Sequence, residues 1–268
     1  MDTPAKNSAR RFRIGVFPGF GVWTVLFFVY LYVPILILVF FSFNGGKSAT
    51  VWSEFSLRWY QTAFNNADIQ RAAYNSLVIA FVSTGIAVVV AVLAALVTSR
   101  GGEFRGKSLA YGTIMLPLVV PEIVTAVATL SFFAALGISW GAGNLIIAHT
   151  VFCIPFAYLP IRARLEGMDS SLEQAALDLY ANEWRTFWFV TFPLIMPGII
   201  SGATLSFIVS IDNFIISLMV AEPGVTTLPI YIYSLVRLGV TPEVNAVSTV
   251  MLMISIVFVA ISYIAGKR

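Results

Sequence analysis

Six apolar stretches, each long enough to cross a bilayer, constrain this chain more than any other feature. They run approximately over 20–42, 74–98, 109–134, 143–163, 194–220 and 245–265. A helix needs about 20 residues to cross the hydrocarbon core. Every backbone polar group must be satisfied internally there, so such stretches are helices. Of the 268 residues, 59% are hydrophobic and only 11% charged, whereas a soluble domain carries about 25% charged residues. The expectation is an all-α polytopic membrane protein with about six transmembrane helices. Residues 1–19 read as a cytoplasmic N-terminal segment and 20–268 as one transmembrane domain. Pro117, Pro121, Pro155 and Pro160 interrupt the third and fourth stretches. Proline in a span needs protein or a cavity to satisfy the freed carbonyls, which places those two spans inside the bundle.

The placement of Lys and Arg sets the orientation. Twelve of the sixteen fall on one side: Lys6, Arg10, Arg11, Arg13, Arg100, Arg105, Lys107, Arg162, Arg164, Arg185, Lys267 and Arg268. Lys47, Arg58, Arg71 and Arg237 fall on the other. By the positive-inside rule both termini and the 162–192 loop are cytoplasmic. The net charge of +3 is then topological and gives no reason to propose nucleic-acid binding. The apolar run after Arg13 exceeds the 7–15 residues of a signal-peptide core, so it reads as a retained helix. Cys153 is the single cysteine and His149 the single histidine. An intrachain disulfide and a two-cysteine metal site are therefore excluded, and His149 reads as a packed or hydrogen-bonded helix residue.

Between the fourth and fifth spans lies an amphipathic, charged segment, EGMDSSLEQAALDLYANEWRTFWFVTFPLIMPG over 166–198. Ser170 and Glu173 have capping-box spacing, with the Ser170 hydroxyl on the Glu173 amide and the Glu173 carboxylate reaching back. Leu172, Ala175, Ala176 and Leu179 form one apolar stripe at helical spacing. Glu173, Gln174, Leu177 and Asp178 lie off it. A second short helix is expected over 183–190, after a break at Ala181-Asn182. Glu173-Gln174-Ala175-Ala176, with Pro193-Leu194-Ile195-Met196-Pro197 downstream, resembles the EAA loop of ABC-importer permeases. In that family the loop forms coupling helices seated in a cleft of the cytoplasmic ATPase. The resemblance assigns Glu173, Gln174, Ala175, Ala176, Asp178, Leu179 and Tyr180 to this coupling segment, about 165–192. Tyr180 stands where the family usually has Gly. A bulky residue is strained in the left-handed region, so the first helix is expected to run on and end at Asn182.

On the other side, 43–73 carries Trp52, Trp59, Tyr60 and Phe64, which form either an interfacial aromatic belt or a partner surface. The segment 221–244 reads as a short re-entrant or interfacial helix. The chain has no G-x-x-x-x-G-K-[ST] and cannot hold ATP by a P-loop. Any ATPase must be a separate chain.

Two acids fall in apolar stretches: Glu122 mid-way in the third, and Asp212 near the middle of the fifth. A carboxylate in hydrocarbon costs at least about 2.5–3.5 kcal/mol and usually faces the bundle interior or an aqueous path. Either these groups receive a cation, or they are protonated and bonded to backbone beside a proline kink. The sequences around Met115–Val124, Leu205–Asp212, Thr227–Pro229 and Arg237–Ala246 resemble the spermidine/putrescine-type permeases over nearly the whole chain. That resemblance implies the type I ABC importer fold and import of a cationic amine, most naturally a polyamine. It implies four sets of partners: a second homologous permease forming a heterodimer, an ATPase dimer holding ATP and Mg, a periplasmic binding protein, and the lipid bilayer. No cofactor or metal is expected on this chain, which is a transport subunit of a bacterial inner membrane and not an enzyme. The family's transport-linked residues map to Trp59, Glu122, Glu173, Ser210, Asp212 and Asn213. The family usually has two consecutive acids where this chain has Asp212-Asn213, which leaves room for a smaller amine or an amino-acid derivative. A stand-alone ion-coupled carrier and an intramembrane enzyme are the readings from other classes. The coupling loop and the six-span count argue against the first. The lack of Gly-x-Ser-x-Gly or His-Glu-x-x-His argues against the second.

Overall fold

The computed structural model describes residues 19–49, 51–239 and 241–266. Lys6, Arg10, Arg11, Arg13, Lys267 and Arg268, with nearly all of the 1–19 segment, lie outside the described residues. The chain runs α1 (Phe20–Phe41), α2 (Arg58–Asn65), α3 (Ala67–Arg100), α4 (Lys107–Val119), α5 (Glu122–Leu136) and α6 (Ala142–Glu166). It continues through α7 (Ser171–Asp178), α8 (Glu183–Thr186), a π-helical turn (Phe187–Thr191), α9 (Phe192–Ile211), α10 (Ile215–Val220), α11 (Leu228–Leu238) and α12 (Pro242–Gly266). The described residues contain no β-strand beyond one isolated bridge, Asn44 to Phe55.

Five helical runs are long and apolar enough to cross a membrane, and a sixth is added if α4 and α5 count as one broken span. α3 has 34 residues, about 50 Å of helix, so it extends well past the hydrocarbon. Its buried face is built from small residues, among them Ala72, Ser76, Ala80, Ser83, Ala87, Ala91, Ala95 and Thr98. Lipid gives no hydrophobic drive between helices, so close backbone approach and dispersion hold the bundle. The same device joins α9 to α6. A Cβ on Gly202 would sit 2.6 Å from the Ala157 carbonyl oxygen, and one on Gly198 2.9 Å from that of Pro160. Cys153 and Ser206 exchange hydrogen bonds across this seam, each donating to the other's carbonyl. α3, α6 and α9 are thus the core of the bundle, with Leu145, Ala157, Tyr158, Ile161, Leu165 and Ile195 fully buried in it or at its ends.

The interior placement expected from proline holds for α6, whereas the third stretch is buried on one face only, at Pro117, Ala126 and Phe133. α4 and α5 are bent by 110° at Val120-Pro121, and Leu116, Val119, Ile123 and Val124 are exposed on the single chain. The fifth stretch is also interrupted, between α9 and α10. Glu122 and Asp212 are therefore not mid-helix. Each flanks a break.

The short-helix expectation over 183–190 is corrected too. α8 is one turn, and it runs through the π-helical turn straight into α9. Pro193 lacks the N–H that would bond the Phe189 carbonyl, and the helix widens just before it. At the α3 N-terminal end, α11 forms the helix expected in 221–244 and docks by polar contacts. Ser76 Oγ accepts from the Leu228 amide at 2.8 Å, and Asn75 donates to the Thr226 carbonyl at 3.0 Å.

Candidate functional site: two helix breaks and a coupling segment

The first site forms where the two interrupted spans meet. The residue before a proline avoids the α region, and Val120 is extended, with ψ 133°. Glu122 then opens α5, where the helix dipole favours an acid. Across from it, α9 ends and Asn213 fills the gap before α10. Asn213 Oδ1 accepts from the Ile216 amide at 3.0 Å, and its Nδ2 donates to Glu122 Oε1 at 2.6 Å. One amide therefore caps the new helix and joins the two breaks. Irregular backbone at membrane depth persists only where protein surrounds it or a cavity adjoins it, and discontinuous helices of this kind build midplane substrate sites in transporters.

Asp212 has a different environment. It is the C-cap of α9, and its side chain is exposed and has no hydrogen-bond or ion-pair partner among the described residues. A helix C-terminus carries partial negative charge. An unpaired carboxylate there makes a locus that attracts a cation, and none of the Lys or Arg ion pairs among the described residues involves Asp212 or Glu122.

Ser210 is buried, and its hydroxyl lies 2.8 Å from His149 Nδ1. His149 Nε2 lies 3.0 Å from Ser217 Oγ, and Ser217 donates to the Asn213 carbonyl at 2.7 Å. With its proton so engaged, Ser217 accepts from Nε2–H, and Nδ1 accepts from Ser210; the network assigns this tautomer. His149 thus bridges both sides of the α9–α10 break. The expectation of a hydrogen-bonded helix residue was right, but its partners, which lie 61 and 68 residues away, gave no sequence signal. Trp59 is not brought to this site by any contact. It lies half-buried at the α3 N-terminal end, donates to the Gly46 carbonyl at 3.1 Å and stacks with Arg58.

The second site is the coupling segment. The capping box does not form: Ser170 makes no side-chain cap bond. Asp169 accepts from the Ser171 amide at 2.9 Å instead, and that bond holds its carboxyl below the usual range. Glu173 turns away from its own helix start. Its Oε1 accepts from Thr191 Oγ1 at 2.7 Å, and Oε2 lies 3.0 Å from Arg100 Nε, an ion pair whose N–H is not aligned as a hydrogen bond.

α7 also ends earlier than expected. Tyr180 itself adopts the left-handed conformation, φ +62°. The Ala181 amide bonds the Ala176 carbonyl at 3.1 Å, and the Tyr180 amide bonds that of Leu177 at 2.9 Å. This is a Schellman ending with Tyr in the glycine position. Asn182 caps the next helix, accepting from the Arg185 amide at 2.8 Å. Leu179 and Tyr180 are 81% and 97% exposed, and Leu172 and Leu177 also face outward. Gln174, Ala175 and Asp178 are exposed with them, while Ala176 is half-buried. Of the stripe read from sequence, Leu172, Ala175 and Leu179 form an exposed apolar face.

Residues 87–267 match the family of binding-protein-dependent transport system inner membrane components. The chain is 39% identical over 241 residues to the spermidine/putrescine transport system permease protein PotC of Haemophilus influenzae, covering 90% of this chain and 93% of that one. It is 42% identical over 234 residues to the putrescine transport system permease protein PotI of Escherichia coli, covering 85% and 83%. Among solved structures, a bacterial ABC transporter importing alginate superposes with TM-score 0.66 at 17% identity, covering 92% of this chain and 93% of that one. The inward-facing methionine transporter MetNI superposes with TM-score 0.64 at 18% identity, covering 74% and 94%. The fold is that of the type I ABC importer permeases, and this chain belongs to the family of binding-protein-dependent transport system inner membrane components.

Proposed function

We propose that this chain is a permease subunit moving a cationic amine, of the putrescine/spermidine class, into the cell by alternating access. The observation that carries the reading is Asp212, an unpaired carboxylate at the C-terminus of a broken span. The names of the relatives supply the substrate class. On this reading a loaded periplasmic binding protein docks on the outer segments around Trp59 and α11. A second homologous permease completes the pathway, and an ATPase dimer with ATP and Mg closes below. Both termini are cytoplasmic.

The chemistry asked of this chain is electrostatic. Glu122 and Asp212 balance the substrate ammonium groups during passage, and neither is neutralised by a Lys or Arg among the described residues. Asn213 turns one Glu122 oxygen away from the path and leaves the other for the substrate. Ser210 and His149 hold the break in shape. The coupling face of Ala175, Leu179 and Tyr180 meets the ATPase.

The test is ATP-dependent uptake of labelled putrescine and spermidine into vesicles holding the two permeases, ATPase and binding protein. Saturable uptake that is lost in Asp212→Ala supports the reading. Uptake unaffected by Asp212→Ala and Glu122→Gln removes the charged pathway. ATPase stimulated only by a binding protein loaded with another solute removes the polyamine.

A further inference from the structure

Arg100 is the last residue of α3, and its guanidinium reaches three other segments. Nη2 donates to the Leu165 carbonyl at 3.2 Å and the Met168 carbonyl at 3.3 Å, at the C-terminal end of α6 and just beyond it. Nε faces Glu173 of α7 at 3.0 Å. Glu173 in turn takes the Thr191 hydroxyl, at the π-helical turn that leads into α9. The ends of the three core helices therefore converge on one ion pair with the segment whose outer face is open.

Three features separate this arrangement from an ordinary surface pair. The side chains are only 28% and 19% exposed, although they lie at a helix end beside an otherwise open loop. The planar guanidinium holds two backbone carbonyls with Nη2 while its Nε edge faces the carboxylate, a fixed fork that the point charge of an ammonium does not provide. Glu173 contributes both its oxygens inward, so it is not available on the exposed face of α7.

We propose that Arg100 is a positioning residue that, through Glu173, makes α7 move as one body with the ends of α3, α6 and α9. A displacement of α7 is then delivered to the core helices, and through α9 to the break at Asp212. Without the clamp, α7 is joined to α6 through the short 167–170 connection and to α9 through α8 and its packing on the π-helical turn, and more of a push on it dissipates in local bending. The inference rests on the reading that the outer face of α7 meets the ATPase.

The experiment uses the complete transporter in lipid nanodiscs and reads three quantities: ATPase retained on the permease, basal ATPase rate, and stimulation by loaded binding protein. Arg100→Gln, Glu173→Gln and the double variant form a cycle. For Arg100→Gln the expected result is retained ATPase and basal rate, with stimulation reduced about five-fold or more, and a double variant no worse than Glu173→Gln alone. Full stimulation in Arg100→Gln, or losses that multiply in the double variant, overturns the proposal. If Arg100→Gln does not assemble, Thr191→Val, which deletes one hydroxyl, is read in its place. Reduced stimulation with intact assembly supports the clamp, and unchanged stimulation overturns it. Leu179→Asp tests the underlying reading separately. Loss of the ATPase from this variant supports docking through α7. Retention of the ATPase removes that reading and the clamp's proposed role with it, whereas failure of the cycle alone removes only the clamp.

Discussion

At the residue scale, the polar side chains in the membrane are placed to satisfy backbone that the breaks leave open. Asn213 does this with both ends of its amide. Asn213→Leu keeps the volume and leaves the Ile216 N–H and one Glu122 oxygen without partners, each worth about 1–3 kcal/mol when buried. The expected outcome is a clear fall in thermal midpoint in detergent. Tyr180 illustrates the opposite balance. The left-handed conformation costs an L-residue about 1–2 kcal/mol, yet it closes two backbone bonds at the end of α7, each contributing about 0.5–1.5 kcal/mol. The sum favours ending the helix on Tyr, which is why the strain argument taken alone misplaced the end at Asn182. Tyr180→Gly is expected to raise the permease's thermal midpoint slightly, and Tyr180→Ile to lower it, since β-branched residues tolerate that region least.

At the element scale, the number and approximate positions of the spans were legible because hydrophobic length is a one-dimensional property. The bends were only half legible. Pro121 marked the 110° turn, but it did not show that one face of α4 and α5 is left exposed on the single chain. Nothing in composition marked the α9–α10 gap, because Asp212 and Asn213 are also tolerated at helix ends. The capping box was misread for a related reason. Ser170 and Glu173 have the right spacing, but Arg100 and Thr191, which come from elsewhere in the chain, compete for the Glu173 carboxylate and win. Packing at Gly202 gives a test of the α6–α9 seam. Gly202→Ala places a methyl 2.6 Å from backbone oxygen, and such overpacking costs about 1–3 kcal/mol. Gly85→Ala in α3 meets nothing within 4 Å and is expected to be neutral or stabilising, since alanine is the better helix former. Equal thermal midpoints for the two variants would remove close backbone contact as the reason for Gly202.

At the scale of the whole molecule, two kinds of surface sit at opposite ends of α3. One end gathers Trp59, α2 and α11. The other gathers Arg100, α7 and α8. From the Lys and Arg count the second end is expected to be cytoplasmic, and the lone cysteine makes this testable, because Cys153 is fully buried. Leu179→Cys and Phe64→Cys place a thiol at positions 81% and 79% exposed, one at each end. A membrane-impermeant maleimide is expected to label Leu179→Cys in inside-out vesicles and Phe64→Cys in right-side-out vesicles, with wild type unlabelled in both. Labelling at Leu179→Cys should also fall when the ATPase is bound, because the same apolar face is then covered. The reverse sidedness would invert the topology and place α7 where no ATPase meets it. Correct sidedness with no protection by the ATPase would keep the orientation and move the docking contact away from the α7 face.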